Sequence, residues 1–129
     1  MTENNADPLH ILVVEDELLI ATSLEIALES HGHRLLGPTA TVDGALKALE
    51  TAQPDLALID YRLADSTTEP LLPVLRERGI PVCVLTGYSR NQLPQAYRHC
   101  HVLEKPFRMA ALMEALEIMR LHERDGSGG

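Results

Sequence analysis

The sequence predicts a doubly wound α/β domain, in which a five-stranded parallel sheet is flanked by five helices. Short, continuous apolar runs alternate with longer segments whose apolar residues recur at helical spacing. Strands that are apolar on both faces are typical of parallel sheets covered by helices on both sides. The regular alternation of the two kinds of segment indicates repeated β-α units.

The strands are predicted from the apolar runs and the turn-forming residues that bound them. The second run ends at Gly37-Pro38, which places that strand at an edge of the sheet because proline has no N–H to donate. The five predicted strands cover residues 10–14, 34–36, 56–59, 81–85 and 101–103.

Capping and breaking residues delimit the first three predicted helices. The first spans about residues 17–31, and Gly32 stands where a C-terminal cap glycine belongs. Thr41 can cap the second helix, which must end before Pro54 because proline restricts the residue that precedes it. The third helix closes at Gly79.

The last two predicted helices differ in strength. Ser89 can cap the fourth, but Pro94 limits it to about one turn or forces a kink. The fifth has an apolar face at helical spacing, formed by Met109, Leu112, Met113, Leu116 and Met119. A second strip on this helix is either a partner or homodimer surface or part of a wide buried face. It consists of Ala111, Ala115 and Ile118.

Length and composition limit the functions that the chain can have. With 129 residues it has room for one domain, expected at residues 9–122, between a disordered lead-in at 1–8 and a flexible tail at 123–129. The net charge of -8 argues against a nucleic-acid partner. No apolar stretch approaches the roughly 20 residues of a membrane span, so no membrane association and a cytoplasmic location are expected. Cys83 and Cys100 are expected to be reduced thiols.

Polar residues follow four of the predicted strands at the point where each strand ends. In doubly wound sheets, ligands bind beyond the carboxyl ends of the strands. The polar side chains should therefore meet at one rim of the sheet. They belong to Glu15, Asp16, Asp60, Thr86 and Lys105.

The chemistry of these residues indicates phosphoryl transfer assisted by a divalent cation. Neighbouring carboxylates repel one another unless a cation is present, and hard oxygen ligands suit Mg²⁺. Asp60 is the natural nucleophile, because its carboxylate can attack a phosphoryl group to form an aspartyl phosphate. Lys105 and the Thr86 hydroxyl can neutralise the charge of the phosphoryl oxygens.

Four motifs resemble those of the response regulator receiver family of bacterial two-component signalling. They occur in order at residues 11–17, 55–60, 85–87 and 103–107, and the resemblance extends from residue 10 to about 121. It implies the flavodoxin-like receiver fold. The chain is most similar in organisation to single-domain, chemotaxis-regulator-like receivers. The Leu-Thr-Gly-Tyr stretch also resembles an alphaproteobacterial subgroup with a Thr-Gly motif after the fourth strand.

The resemblance implies a phosphoacceptor and a set of metal ligands. Asp60 is expected to accept a phosphoryl group from a sensor histidine kinase or a phosphotransfer protein, in a reaction that requires Mg²⁺. Glu15 and Asp16 are expected to form the acidic pair for the ion, with Asp16 the direct ligand. Asp60 and the backbone carbonyl of Arg62 are the other expected ligands.

The resemblance also assigns roles on the fourth and fifth strands. Thr86 is the expected switch hydroxyl and Lys105 the expected contact to the phosphoryl group, with a cis bond between Lys105 and Pro106. A stand-alone receiver of this kind is expected to be a signalling domain and not an enzyme. It would act on an unidentified downstream protein as an adaptor, a phosphorelay shuttle or a phosphate sink.

The fifth predicted strand departs from the family pattern at one position. Val102 stands where the family usually has an aromatic residue that moves together with the switch threonine. Tyr88 is a candidate substitute and Tyr97 a weaker one, although both could simply pack at the surface. Arg62 occupies the position at which aspartyl-phosphate phosphatases carry a second acid, which argues against a phosphoesterase. The complete set of polar residues argues against a degenerate, unphosphorylated binding module.

Overall fold

The computed structural model describes residues 8–64 and 66–126, and five of their segments form one parallel sheet. The strand order is β2-β1-β3-β4-β5, and each adjacent pair is parallel. This order confirms the predicted doubly wound class. The strands are β1 His10–Val14, β2 Arg34–Thr39, β3 Leu56–Asp60, β4 Val82–Thr86 and β5 His101–Glu104.

Four α-helices flank the sheet within the described residues, and not the five that were predicted. They are α1 Leu18–Ser30, α2 Val42–Thr51, α3 Leu71–Glu77 and α4 Met109–Gly126. The predicted fourth helix is replaced by two 3-10 turns, at Arg90–Gln92 and Gln95–Tyr97. Ser89 and Gln92 form a capping box around the first turn, and Pro94 starts the second. Proline cannot continue helical hydrogen bonding, so the first turn ends before Pro94.

The predicted helix caps agree with the structure. The Thr41 hydroxyl accepts a hydrogen bond from the Gly44 N–H at 2.9 Å. Gly32 and Gly79 follow α1 and α3 with φ angles of +89° and +69°, the left-handed conformation that glycine adopts without steric cost. Helix α4 continues to Gly126 and so includes the start of the segment predicted as a tail. Residues 1–7 and 127–129, the remainder of the predicted ends, lie outside the described part.

The edge strand β2 is longer than predicted, because it passes through Gly37 and Pro38. Its pairing with β1 shifts between the partners of Leu12 and Val14, and the Gly37–Pro38 peptide bond is cis. A side chain at Gly37 would lie 2.9 Å from the Val13 carbonyl oxygen. The irregular strand therefore depends on glycine at this position.

The core consists of two apolar layers, one on each face of the sheet. The layer beneath α2 and α3 is formed by residues such as Leu12, Val14, Leu49, Ile59 and Leu75. The layer beneath α1 and α4 is formed by residues such as Ile11, Val13, Leu24, Leu58 and Leu116. Successive residues of β1 and β3 alternate between the two layers, as the period of a strand requires.

Two smaller expectations concern the last helix and the cysteines. Ala115 is buried and Ala111 is half-buried, whereas Ile118 is exposed. The second strip on α4 thus belongs mainly to a wide buried face. Cys83 and Cys100 are both buried free thiols.

Candidate functional site

Carboxylates from the ends of two adjacent strands meet at one rim of the sheet. Parallel pairing places Val14 opposite Ile59, so the residues that follow them emerge side by side. Glu15, Asp16 and Asp60 each offer a carboxylate oxygen, and these oxygens lie within 4.8 Å of one another. The predicted convergence of the acidic residues is therefore present in the fold.

Lys105 enters this acidic group from the end of β5. Its Nζ lies 2.9 Å from Asp60 Oδ1 and 3.3 Å from Glu15 Oε1. Glu17 Oε1, at 3.8 Å, is a third carboxylate near the amine, which the sequence reasoning did not single out. The Lys105 N–H donates to the Thr86 carbonyl at 2.7 Å, and the Lys105–Pro106 peptide bond is cis. The hydrogen bond to Thr86 holds the lysine backbone at the rim.

Burial and mutual repulsion control the charge of Asp60. Only 2% of this residue is exposed. Burial, followed by the hydrogen bond and the negative charge of Glu15, raises the pKa of Asp60 to about 8, although Lys105 acts in the opposite direction. Burial lowers the pKa of Lys105, but the hydrogen bond and charge of Asp60 and the charge of Glu15 raise it overall. One ammonium group thus faces several carboxylates, and the pocket favours an additional cation.

The donor set fits a magnesium ion. Three carboxylate oxygens this close together are hard ligands of the kind that Mg²⁺ binds while keeping several waters. Glu15 already has both oxygens engaged, because Oε2 accepts from the Glu17 N–H at 2.9 Å and Oε1 faces Lys105. Asp16 is half-buried at the rim. Arg62 forms a short antiparallel bridge with Thr67 in the loop after β3, and its carbonyl remains a predicted ligand.

The predicted switch residues lie close to this pocket. Thr86 is buried at the end of β4, and its hydroxyl accepts a hydrogen bond from the Tyr88 N–H at 2.9 Å. The Tyr88 side chain is 42% exposed, and its ring makes an edge contact with the Tyr61 ring at a centroid distance of 5.8 Å. Val102 is half-buried and pairs with Val84 across β4 and β5.

Two buried residues near the site were missed or misjudged from the sequence. Tyr97 is 1% exposed, which rules out the alternative that it simply packs at the surface. Its ring makes an edge contact with the Tyr61 ring at 5.2 Å, and its hydroxyl hydrogen-bonds the Thr68 hydroxyl at 2.9 Å. Thr68 lies in a polar run of the loop after β3, and no local pattern distinguishes it from its neighbours.

Comparison with known proteins identifies the family. Residues 11–117 match the model of the response regulator receiver domain. The chain belongs to the response regulator receiver family. Such receivers are signalling domains that bind Mg²⁺ in an acidic pocket and interact with histidine kinases or phosphotransfer proteins, and the acidic cluster of this chain agrees with that property.

The chain is similar to two longer regulators. It is 35% identical over 104 residues to the phyllosphere-induced regulator PhyR of Methylorubrum extorquens, which corresponds to 78% of this receiver and 39% of PhyR. It is 29% identical over 121 residues to the transcriptional regulatory protein PdtaR of Mycobacterium tuberculosis, which corresponds to 88% of this receiver and 57% of PdtaR. The receiver therefore spans less than two thirds of either protein.

Solved structures of similar chains support the same assignment. SdrG from Sphingomonas melonis Fr1 matches with a TM-score of 0.74 and 37% identity, over 85% of this receiver and 94% of SdrG. A CheY-like receiver from Methanospirillum hungatei matches with a TM-score of 0.83 and 24% identity, over 93% and 99% of the two chains. The second likeness concerns the fold alone. Within the described residues, none of the receiver's helices has the length and apolar character needed to cross a membrane.

The raised pKa of Asp60 predicts a pH-dependent stability. Because folding raises the pKa of Asp60, the free energy of unfolding without Mg²⁺ should fall as the pH rises from about 4 to about 8. Asp60→Asn removes this titration and should be more stable than the wild type at pH 8, by on the order of 2 kcal/mol. Denaturant unfolding in EDTA measures the difference, and saturating Mg²⁺ should reduce it. Asp43→Asn, at an exposed carboxylate, is the control. Parallel pH profiles for the wild type and Asp60→Asn would contradict the prediction.

The contacts of the acidic pair predict unequal effects on metal affinity. Asp16→Asn should weaken Mg²⁺ binding more than Glu15→Gln, because both Glu15 oxygens already have partners within the pocket. Loss of such a supporting group costs about ten- to a hundredfold in metal affinity, and loss of a direct ligand should cost more. Titration by tyrosine fluorescence, with Tyr61 beside the site, measures both variants. Equal losses would rule out Asp16 as the principal ligand.

Proposed function

We propose that this receiver accepts a phosphoryl group on Asp60 from a histidine kinase or a phosphotransfer protein, in a Mg²⁺-dependent reaction. The phosphorylated receiver then signals through altered binding to a protein partner. The observation that carries the proposal is the meeting of Asp60 with both the acidic cluster and Lys105 Nζ. The pocket thus combines a nucleophile, a cation site and a fixed positive charge.

The side chains of the pocket suit the transfer step. A carboxylate oxygen of Asp60 attacks the phosphorus of a phosphohistidine; the P–N bond breaks, and its electron pair returns to the imidazole nitrogen. Lys105 would balance the negative charge of the phosphoryl oxygens. The Thr86 hydroxyl accepts from the Tyr88 N–H and keeps its own proton for donation.

A magnesium ion would be held by Asp16, Asp60 and the Arg62 carbonyl, with Glu15 as the second member of the acidic pair beside it. When bound, it supplies positive charge that neutralises the carboxylates and the phosphoryl oxygens. The remaining catalytic contribution of the chain is positioning, because phosphoryl transfer needs aligned groups more than additional covalent chemistry.

The solved relatives support a signalling role that depends on phosphorylation. The match to SdrG covers nearly all of that chain, and SdrG has also been solved in a BeF3-activated conformation, at 37% identity to this receiver. A beryllium trifluoride group resembles a phosphoryl group in shape and charge. The net charge of -8 favours a protein target over a nucleic acid, and the cytoplasm is the compartment in which histidine kinases would meet such a receiver.

Phosphorylation of Asp60 is directly testable. Incubation with acetyl phosphate and Mg²⁺ should add one base-labile phosphoryl group, detected by intact-mass spectrometry. The mass gain should disappear in Asp60→Asn and in EDTA, and should persist in the control Asp43→Asn. The absence of any gain with acetyl phosphate or phosphoramidate would favour a degenerate binding module. Rapid multiple turnover of p-nitrophenyl phosphate would favour a phosphoesterase.

Exposed leucines beside the pocket support a protein as the phosphodonor. Leu18 and Leu19 begin α1 directly after Glu17 and are 78% and 83% exposed. Adjacent exposed leucines are costly to leave in water and are typical of contact surfaces. A donor protein resting on them would have its phosphohistidine near Asp60.

The double variant Leu18→Ser/Leu19→Ser separates protein donors from small donors. Phosphorylation by acetyl phosphate should proceed at the wild-type rate, because the pocket is intact. Transfer from a phosphorylated histidine kinase that serves the wild type should slow by about tenfold or more, as expected when apolar contact area is lost. Ile118→Ser, at an exposed position on α4, is the matched control. An equal loss with both donors would instead indicate damage to the pocket.

A further inference from the structure

A pair of buried hydroxyl groups lies behind the pocket and is not used by the proposed transfer step. The Thr68 hydroxyl hydrogen-bonds the main-chain carbonyl of Asp60, and it also lies 2.9 Å from the Tyr97 hydroxyl. Thr68 is fully buried and Tyr97 is 1% exposed. Buried hydroxyls are normally hydrogen-bonded. Here the Thr68 hydroxyl bonds the backbone of Asp60, the proposed phosphoacceptor.

The available protons fix the direction of these hydrogen bonds. The Asp60 carbonyl can only accept, so the Thr68 hydroxyl uses its single proton as the donor to it. The proton between Thr68 and Tyr97 must then come from Tyr97. Burial raises the pKa of Tyr97 to about 12, so this proton is retained at neutral pH. A directed chain therefore runs from Tyr97 through Thr68 to Asp60.

This chain of hydrogen bonds completes the support of the peptide group between Asp60 and Tyr61. Asp60 is the last residue of β3, and the ladder with β1 already ends at the Val14–Ile59 pair. In the peptide group after Asp60, the Tyr61 N–H donates to the Leu85 carbonyl at 2.9 Å, while the carbonyl accepts from Thr68. Holding both polar atoms of this peptide fixes the backbone from which the Asp60 carboxylate projects.

We propose that Thr68 and Tyr97 are positioning residues for Asp60, and that they couple the pocket to the crossover segment, residues 87–100, between β4 and β5. The inference rests on the proposed function and deepens it. Tyr97 ends the second 3-10 turn of the crossover segment, so a shift of the Asp60 peptide is transmitted to that turn. Val102 provides no aromatic ring to move together with Thr86. The link through Tyr97 offers another route from the pocket to the surface.

Paired substitutions test the positioning role. Thr68→Val and Tyr97→Phe each remove one hydroxyl and nearly preserve shape, and each should slow phosphorylation by acetyl phosphate by about three- to tenfold, the equivalent of one hydrogen bond. The double variant should be no slower than the slower single variant, because both hydroxyls act in one chain. Thr51→Val, which removes an exposed hydroxyl bonded to a helix carbonyl, should leave the rate unchanged. Wild-type rates in both single variants, or multiplicative losses in the double variant, would overturn the proposal.

A second measurement does not depend on phosphorylation. Mg²⁺ binding at the acidic cluster should shift the backbone amide resonances of residues 95–98 in the wild type, and this shift should be lost in Tyr97→Phe, whose ring remains to fill the core. If the wild type takes no phosphoryl group but shows this coupling, the proposed function fails and the coupling stands. If the amide shifts are the same in Tyr97→Phe as in the wild type, the coupling is wrong whether or not Asp60 is phosphorylated.

Discussion

The balance between Lys105 and the surrounding carboxylates is the interaction on which the site depends. A single ammonium group lies within 4 Å of oxygens from Asp60, Glu15 and Glu17, and two of those carboxylates are almost completely buried. Buried carboxylates are costly to desolvate, and one lysine does not neutralise all of them. The remaining negative charge attracts a divalent cation. Because the cluster is short of positive charge, the proposed ion binding and the proposed phosphoryl transfer would share one pocket.

The sheet supplies the geometry that brings these charges together. Residues far apart in the chain become neighbours because β1, β3, β4 and β5 are parallel and adjacent, so their carboxyl ends lie along one rim. The two apolar layers hold the strands in register, and a slip of one residue would move each side chain to the opposite face. The site is therefore a product of the core as much as of the polar residues.

The fold class and the acidic pocket were predictable because each depends on a local signal. Continuous apolar runs marked the strands, and the polar residues directly after them marked the rim. The crossover segment was predicted less well, since Ser89 and Pro94 give opposing signals and only packing decides between a kinked helix and two turns. Thr68 and Tyr97 could not be paired from the sequence, because their contact joins two loops that carry no periodic pattern. The strand β2 was cut short in the prediction because Gly37 and Pro38 normally end strands, whereas here a bulge accommodates them.

The two short turns in the crossover segment have a consequence for how this receiver changes shape. A single turn satisfies few of its own backbone groups and forms no cooperative helix, so its local order depends on the side chains that fasten it to the core. Tyr97 is the deepest of these in the segment. Loosening that one anchor would release several residues at small energetic cost, while the sheet beneath stays intact. Local opening is therefore easier in this segment than in the central strands, so the domain can change shape there while its sheet is preserved.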